Sequence, residues 1–180
     1  TFAWESDTQY YNEDYVGNPN IVGKYQYQLD IHDWLIANRP RLNLQYLFHT
    51  GDIIDNADEI GQWTNADNAY KLLDDARLPY GVLAGNHDVD HLSNDYTNYG
   101  KYFGDFRFEN KEHFAGSYKN NRGHYDLITV DGIDFIMMYM GWNINEAEIN
   151  WMNNVLAKYP ERVAILNFHE YLLASGCLLY

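Results

Sequence analysis

Cysteine is almost missing: Cys177 stands alone among 180 residues, so an internal disulfide is excluded and the redox compartment stays open. Long apolar runs are missing too. No stretch approaches the roughly 18 consecutive apolar residues that cross a bilayer, and the amino end lacks the basic-then-apolar pattern of a signal peptide. A leader removed on maturation would leave no such trace, so a secreted or cell-surface setting still ranks ahead of the cytoplasm, and no membrane contact is expected. Positive charge is scarce. Twelve Lys and Arg against 26 Asp and Glu give a formal charge of −14, which opposes contact along a nucleic-acid phosphate backbone. A phosphorylated substrate would need a bound cation to supply the missing positive charge.

What is present is apolar material: 46% of the residues are hydrophobic, enough for one sizeable core, and residues 1–180 are expected to form a single α/β domain. Apolar runs alternate with helix-period segments. Thr1 to Trp4 reads as a strand. After a Tyr/Asn-rich loop closing at Pro19, Val22, Tyr25, Leu29, His32 and Ile36 recur at helical spacing, and Asn38-Arg39-Pro40 is expected to end that helix. Leu42 to Phe48 reads as a strand, Trp63, Ala66, Tyr70 and Leu73 as a helix stopped by Leu78-Pro79, and Tyr80 to Ala84 as the next strand. From Val89 to Arg122 the period is lost, which predicts a long ordered excursion near the site. His124–Val130 and Ile133–Met140 flank Asp131-Gly132, a hairpin signal. Asn145 with Glu148 three residues on predicts a capped helix bearing Ile149, Met152, Val155, Leu156 and Tyr159 on one face. Arg162 to Phe168 reads as a buried strand.

Each strand ends in polar residues able to hold metal ions. Asp7 and Gln9 follow the first, Asp52 and Asp55 the second, Asn86, His87 and Asp88 the third, and His169 the last. Open α/β sheets place ligands at that carboxyl edge. Carboxylate, amide oxygen and imidazole together suit a pair of divalent ions with one carboxylate shared between them. Asp52 is the natural bridge, since Gly51 before it allows a sharp turn and a close approach. Asn86 offers a carbonyl oxygen, His87 an acid or base near neutral pH, and Asp88 a carboxylate to fix the tautomer of His87. Asp55 reads equally as a ligand, a cap or a support behind the ligands. His32 and His49 read as structural, and His91, His113 and His124 as solvated loop histidines. The many Tyr and Trp residues fall at core spacing.

Asp7-x-Gln9, Gly51-Asp52-x-x-Asp55, Gly85-Asn86-His87-Asp88 and the late His169 resemble, in order, the motifs of the calcineurin-like metallophosphoesterase family. The resemblance implies a four-layer α/β/β/α sandwich and two divalent metal ions, manganese, iron or zinc, at the carboxyl edge. It implies Asp7 and Gln9 on the first ion, Asp52 as the bridge, and Asn86 and His169 on the second. His87 would then contact the phosphate and protonate the leaving oxygen, steadied by Asp88. Gln9 replaces the more usual histidine, which tilts the first position towards harder ions such as manganese, magnesium or iron. The family's final Gly-His-x-His motif does not occur by Tyr180, so the chain is expected to be a fragment whose sheet edge another copy covers. The expected partner is a phosphorylated small molecule or polymer. Two alternatives stay open: a metal-binding surface module without turnover, and a carbohydrate-binding domain using the aromatic segment from Tyr96 to Tyr125.

Overall fold

A computed structural model describes residues 1–15, 24–90 and 92–170. Pro19, Val22, His91, Cys177 and the apolar ending after Glu170, on which expectations were placed above, lie outside the described residues.

Two sheets form the frame. β1 (Phe2–Glu5), β2 (Tyr46–His49) and β3 (Tyr80–Val82) pair in parallel in that order. Parallel neighbours require crossovers, and helices supply them: α1 (Gln9–Asn12) and α2 (Tyr25–Leu42) lead from β1 to β2, and α3 (Ile60–Asp75) from β2 to β3. The second sheet runs β4 (Phe114–Tyr118), β5 (Gly123–Val130), β6 (Ile133–Met140), β7 (Val163–Asn167), antiparallel except for the β6–β7 pair, which α6 (Glu146–Leu156) connects. Three apolar layers follow from this order. Leu35, Trp63, Tyr70 and Leu73 of α2 and α3 cover the outer face of the first sheet. Tyr46, Leu83, Met137 and Tyr139 fill the space between the sheets, and Met152 and Val155 of α6 cover Ile136, Met138 and Met140. The chain is thus an α/β sandwich with helices outside both sheets, as the motifs implied.

The hairpin and the capped helix form where the sequence placed them. Asp131 and Gly132 both take positive φ at the turn, and Asn145 closes a capping box with Glu148. Four expectations are corrected. Pro40 does not end α2: it occupies the last turn, where its carbonyl still accepts from the left-handed Asn43 cap, so the strand begins only at Tyr46. The stretch from Val89 to Arg122 carries α4 (Thr97–Phe103), α5 (Asp105–Phe108) and β4, which is evenly half-buried and therefore shows no alternation to read. Its aromatics Tyr99, Phe103 and Phe108 point into the core, whereas Phe106 is more than half exposed. β7 is not buried: it is the edge of its sheet among the described residues, with Val163 and Leu166 about half exposed. His113 and His124 are not solvated: both are packed between the sheets against Asp126, because β4 and β5 fold back over β2.

Candidate metal centre

All three strands of the parallel sheet deliver their following residues to one edge, and β7 brings His169 to the same place. The turn after β2 is tight. Gly51 and Asp52 take φ of +101° and +56°, and Asp7 takes +57°. A Cβ on Gly51 would stand 2.7 Å from Nδ1 of His169, and one on Gly85 would stand 2.5 Å from the Asp52 amide nitrogen. No larger residue fits at either position, so the Gly51-Asp52 and Gly85-Asn86 turns can interlock only as glycines.

Asp52 sits at the centre, almost wholly buried. Its Oδ1 accepts the His87 backbone N–H at 3.1 Å and lies 3.4 Å from Nε2 of His169, while Oδ2 accepts from Nε2 of Gln9 at 3.3 Å. Burial raises its pKa, opposed by His169 and by the His87 amide. One ligand atom each from Asp7, Asp52 and His169 lies within 4.8 Å of the others. Nδ1 of His169 faces the Thr50 carbonyl at 2.9 Å; a carbonyl only accepts, so Nδ1 carries the proton and a neutral ring has a bare lone pair on Nε2. That lone pair faces Oδ1 of Asn86 at 3.0 Å and Oδ1 of Asp52. In that neutral form three acceptors converge on one point, the arrangement a cation satisfies. Oε1 of Gln9 is buried and has no hydrogen-bond partner, a second acceptor of the same kind. The donor set of Asp7, Gln9, Asp52, Asn86 and His169 therefore fits divalent cations.

His87 stands at the rim, with Nε2 3.9 Å from Oδ2 of Asp52. The structure parts from the sequence reading on what steadies it. Asp88 does not touch the ring. Its carboxylate is fully buried and accepts the backbone N–H groups of Ile53, Ile54 and Gly85, stapling the turn after β2 to the turn after β3. Burial and the Asp52 charge push Asp88 up to about 7, against the pull of those amides. Asp55 holds the ring instead: its carbonyl lies 2.8 Å and its carboxylate 3.1 Å from Nδ1, so that nitrogen bears the proton and Nε2 faces outward. Desolvation weighs against the charged ring, but the Asp55 carbonyl and the Asp52 and Asp55 carboxylates outweigh it and raise the His87 pKa.

The two structural histidines behave as read. His32 bonds the Ala69 carbonyl at 2.8 Å and pairs with Glu5 at 3.2 Å. His49 accepts the Gly51 N–H on Nδ1 and meets the Thr8 hydroxyl on Nε2, and burial holds its pKa down at about 4. Gln62 and Trp142 were not singled out by sequence. The Gln62 side-chain oxygen accepts the N–H groups of Asp55 and Asn56, fixing the loop that bears His87's partner, and nothing in its helical context marks it. Trp142 follows β6 directly and could have been found by the rule that flagged the others, a distinctive residue just past a strand end.

A family model described as calcineurin-like phosphoesterase matches residues 1–179. The uncharacterized protein YvnB of Bacillus subtilis (strain 168) is 56% identical over 176 residues, which is 98% of this chain but 13% of that protein's length. Among solved structures, a purple acid phosphatase from seeds of yellow lupin (Lupinus luteus) matches with a TM-score of 0.55 at 13% identity, over 92% of this chain and 29% of that one. A dimetal phosphatase from Danio rerio matches with a TM-score of 0.55 at 12% identity, over 98% of this chain and 73% of that one. At such identities the likeness is one of fold.

Proposed function

We propose, from the premise that the chain belongs to the calcineurin-like phosphoesterase family, that it hydrolyses phosphomonoesters or phosphodiesters at a pair of divalent cations. Asp7 and Gln9 would hold one ion, Asn86 and His169 the other, and Asp52 would be shared. The observation that carries the reading is the convergence of Asp52 Oδ1, Asn86 Oδ1 and His169 Nε2, with a carboxylate oxygen of Asp7 within 4.8 Å of its Asp52 and His169 counterparts. A bound cation pair supplies an activated water and neutralises phosphoryl charge, which a chain of formal charge −14 cannot do unaided.

The chain's own residues do the rest. Asp55 holds Nδ1–H of His87 and so aims Nε2 at the space beside Asp52; in the imidazolium form that the Asp52 and Asp55 carboxylates favour, Nε2–H could protonate the leaving oxygen of a bound phosphoester, returning the ring to its neutral form. Asp88 keeps the Asp52 and Asn86 turns in register through three backbone amides. Geometry set by backbone contacts is stiff, and stiffness is what oriented attack on phosphorus requires. The test is hydrolysis of p-nitrophenyl phosphate and its bis-ester with added manganese. Turnover that Asp52→Asn reduces at least a hundredfold is expected; turnover indifferent to that change, or none with manganese, iron or zinc, would overturn the reading.

A further inference from the structure

His169, like Asp7 after the edge strand β1, is delivered by a poorly covered strand. β7 has a single neighbour among the described residues and its Val163 and Leu166 are about half exposed, whereas β2 and β3, which deliver Asp52 and Asn86, are buried. The Thr50 carbonyl and the Asn86 and Asp52 oxygens meet the two nitrogens of the imidazole but do not touch its face. A lateral restraint is needed, and Trp142 provides it. Its indole meets the His169 ring edge to face, with centroids 5.8 Å apart and planes at 70°.

Trp142 is itself held at both of its backbone polar groups. Its N–H donates to the carbonyl of Ala84 at 2.9 Å, two residues before Asn86. Its carbonyl accepts from the Tyr96 hydroxyl at 2.8 Å, and the Tyr96 ring lies under the Arg122 guanidinium at 4.5 Å. Arg122 also donates to the Asn143 carbonyl and pairs with Glu148, whose carboxylate closes the cap on Asn145. The backbone on both sides of Trp142 is therefore tied down, and the residue spans the gap between the strand that bears Asn86 and the ring of His169.

We propose that Trp142 is a positioning residue that sets the separation of Asn86 from His169 and so governs the affinity of one of the two cation positions. The proposal rests on the reading of the site as a two-cation centre. Asp7 and Gln9 reach the site after β1 and in α1, and among the described residues no hydrogen bond, ion pair or ring contact joins them to Trp142, so the effect falls on the other position. Groups that orient metal ligands from behind change metal affinity by about 10- to 100-fold.

Manganese binding by equilibrium dialysis, with metal-free stability measured in parallel, decides the matter. In Trp142→Ala one ion binds as in the wild type and the other at least tenfold more weakly, while Trp142→Phe, which keeps a ring edge, restores most of the loss. Trp142→Leu, which keeps apolar volume without a ring, serves if the alanine variant fails to fold, and it behaves as the alanine variant would. Both ions weakened equally together with a loss of metal-free stability would mean a purely structural role and overturn the proposal, as would unchanged affinities. A wild-type protein that binds no manganese overturns the two-cation reading as well, and so separates the two failures.

Discussion

Asp88 and Asp126 are both fully buried carboxyls with pKa values pushed up to about 7, yet their surroundings are opposite. Asp88, at the carboxyl edge of the first sheet, accepts three backbone N–H groups, and burial first and the Asp52 charge second raise its pKa. Asp126, between the sheets, receives one hydroxyl from Tyr46, which Tyr139 supports, and its Oδ1 has no hydrogen-bond partner. Both ring nitrogens of the neighbouring His124 lack partners too. Amides favour the charged form, and cations held by Asp52 would cancel the charge that opposes it. Asp88 is thus built to be an anion and Asp126 to be a neutral acid. Equal burial does not imply equal charge; the number of donors decides.

The largest effect expected from breaking this contrast is at the site. Asp88→Ala leaves three buried amides without an acceptor and should cost about 3–5 kcal/mol, read as a lower urea midpoint with an unchanged slope; a cost under about 1 kcal/mol would remove Asp88 from its stapling role.

The second effect is a pH slope. The native state keeps the Asp126 proton up to about pH 7, whereas the unfolded chain loses it near the ordinary carboxyl value of about 3.9, so this group lowers stability as pH rises between them, by about 1.4 kcal/mol per unit. His113 and His124, held down at about 4 and about 3 by burial, act oppositely: the unfolded chain takes up protons below about 6.5 that the native state refuses, so they raise stability with pH over that span. Lys111, whose own pKa burial lowers, contributes a weak opposing field at Asp126. Asp126→Asn removes the falling contribution alone. Its stability should therefore climb more steeply than the wild type's between pH 4 and pH 7 in urea titrations; parallel curves would show that Asp126 is ionised when folded.

The smallest effect lies at the cap of α6. Asn145→Ala removes the acceptor for the Ala147 N–H at 2.9 Å and should cost about 1 kcal/mol at every pH, read as a lower urea midpoint.

Much of this was legible because strand ends are legible. An apolar run that stops at Gly85 or Gly51 fixes where the next residues emerge, and that placed Asp52, Asn86 and His169 at one edge without any knowledge of side-chain direction. The partner of His87 was not legible, since Asp55 and Asp88 are equally plausible by spacing and only the folded turn shows which carboxylate faces the ring. β4 was invisible because its order comes from pairing with β5 rather than from its own pattern. The cluster around Asp126 was hidden for a related reason. His124 and Asp126 alternate correctly on β5, but strand period alone does not say that the face they share turns towards a second sheet and away from water.

The most direct test of the central claim is the metal content of the protein after equilibration with manganese and removal of free ion. Two ions per chain, with both lost in Asp52→Asn, is the predicted result; ions retained by that variant, or bound away from Asp7, Asn86 and His169, would contradict it.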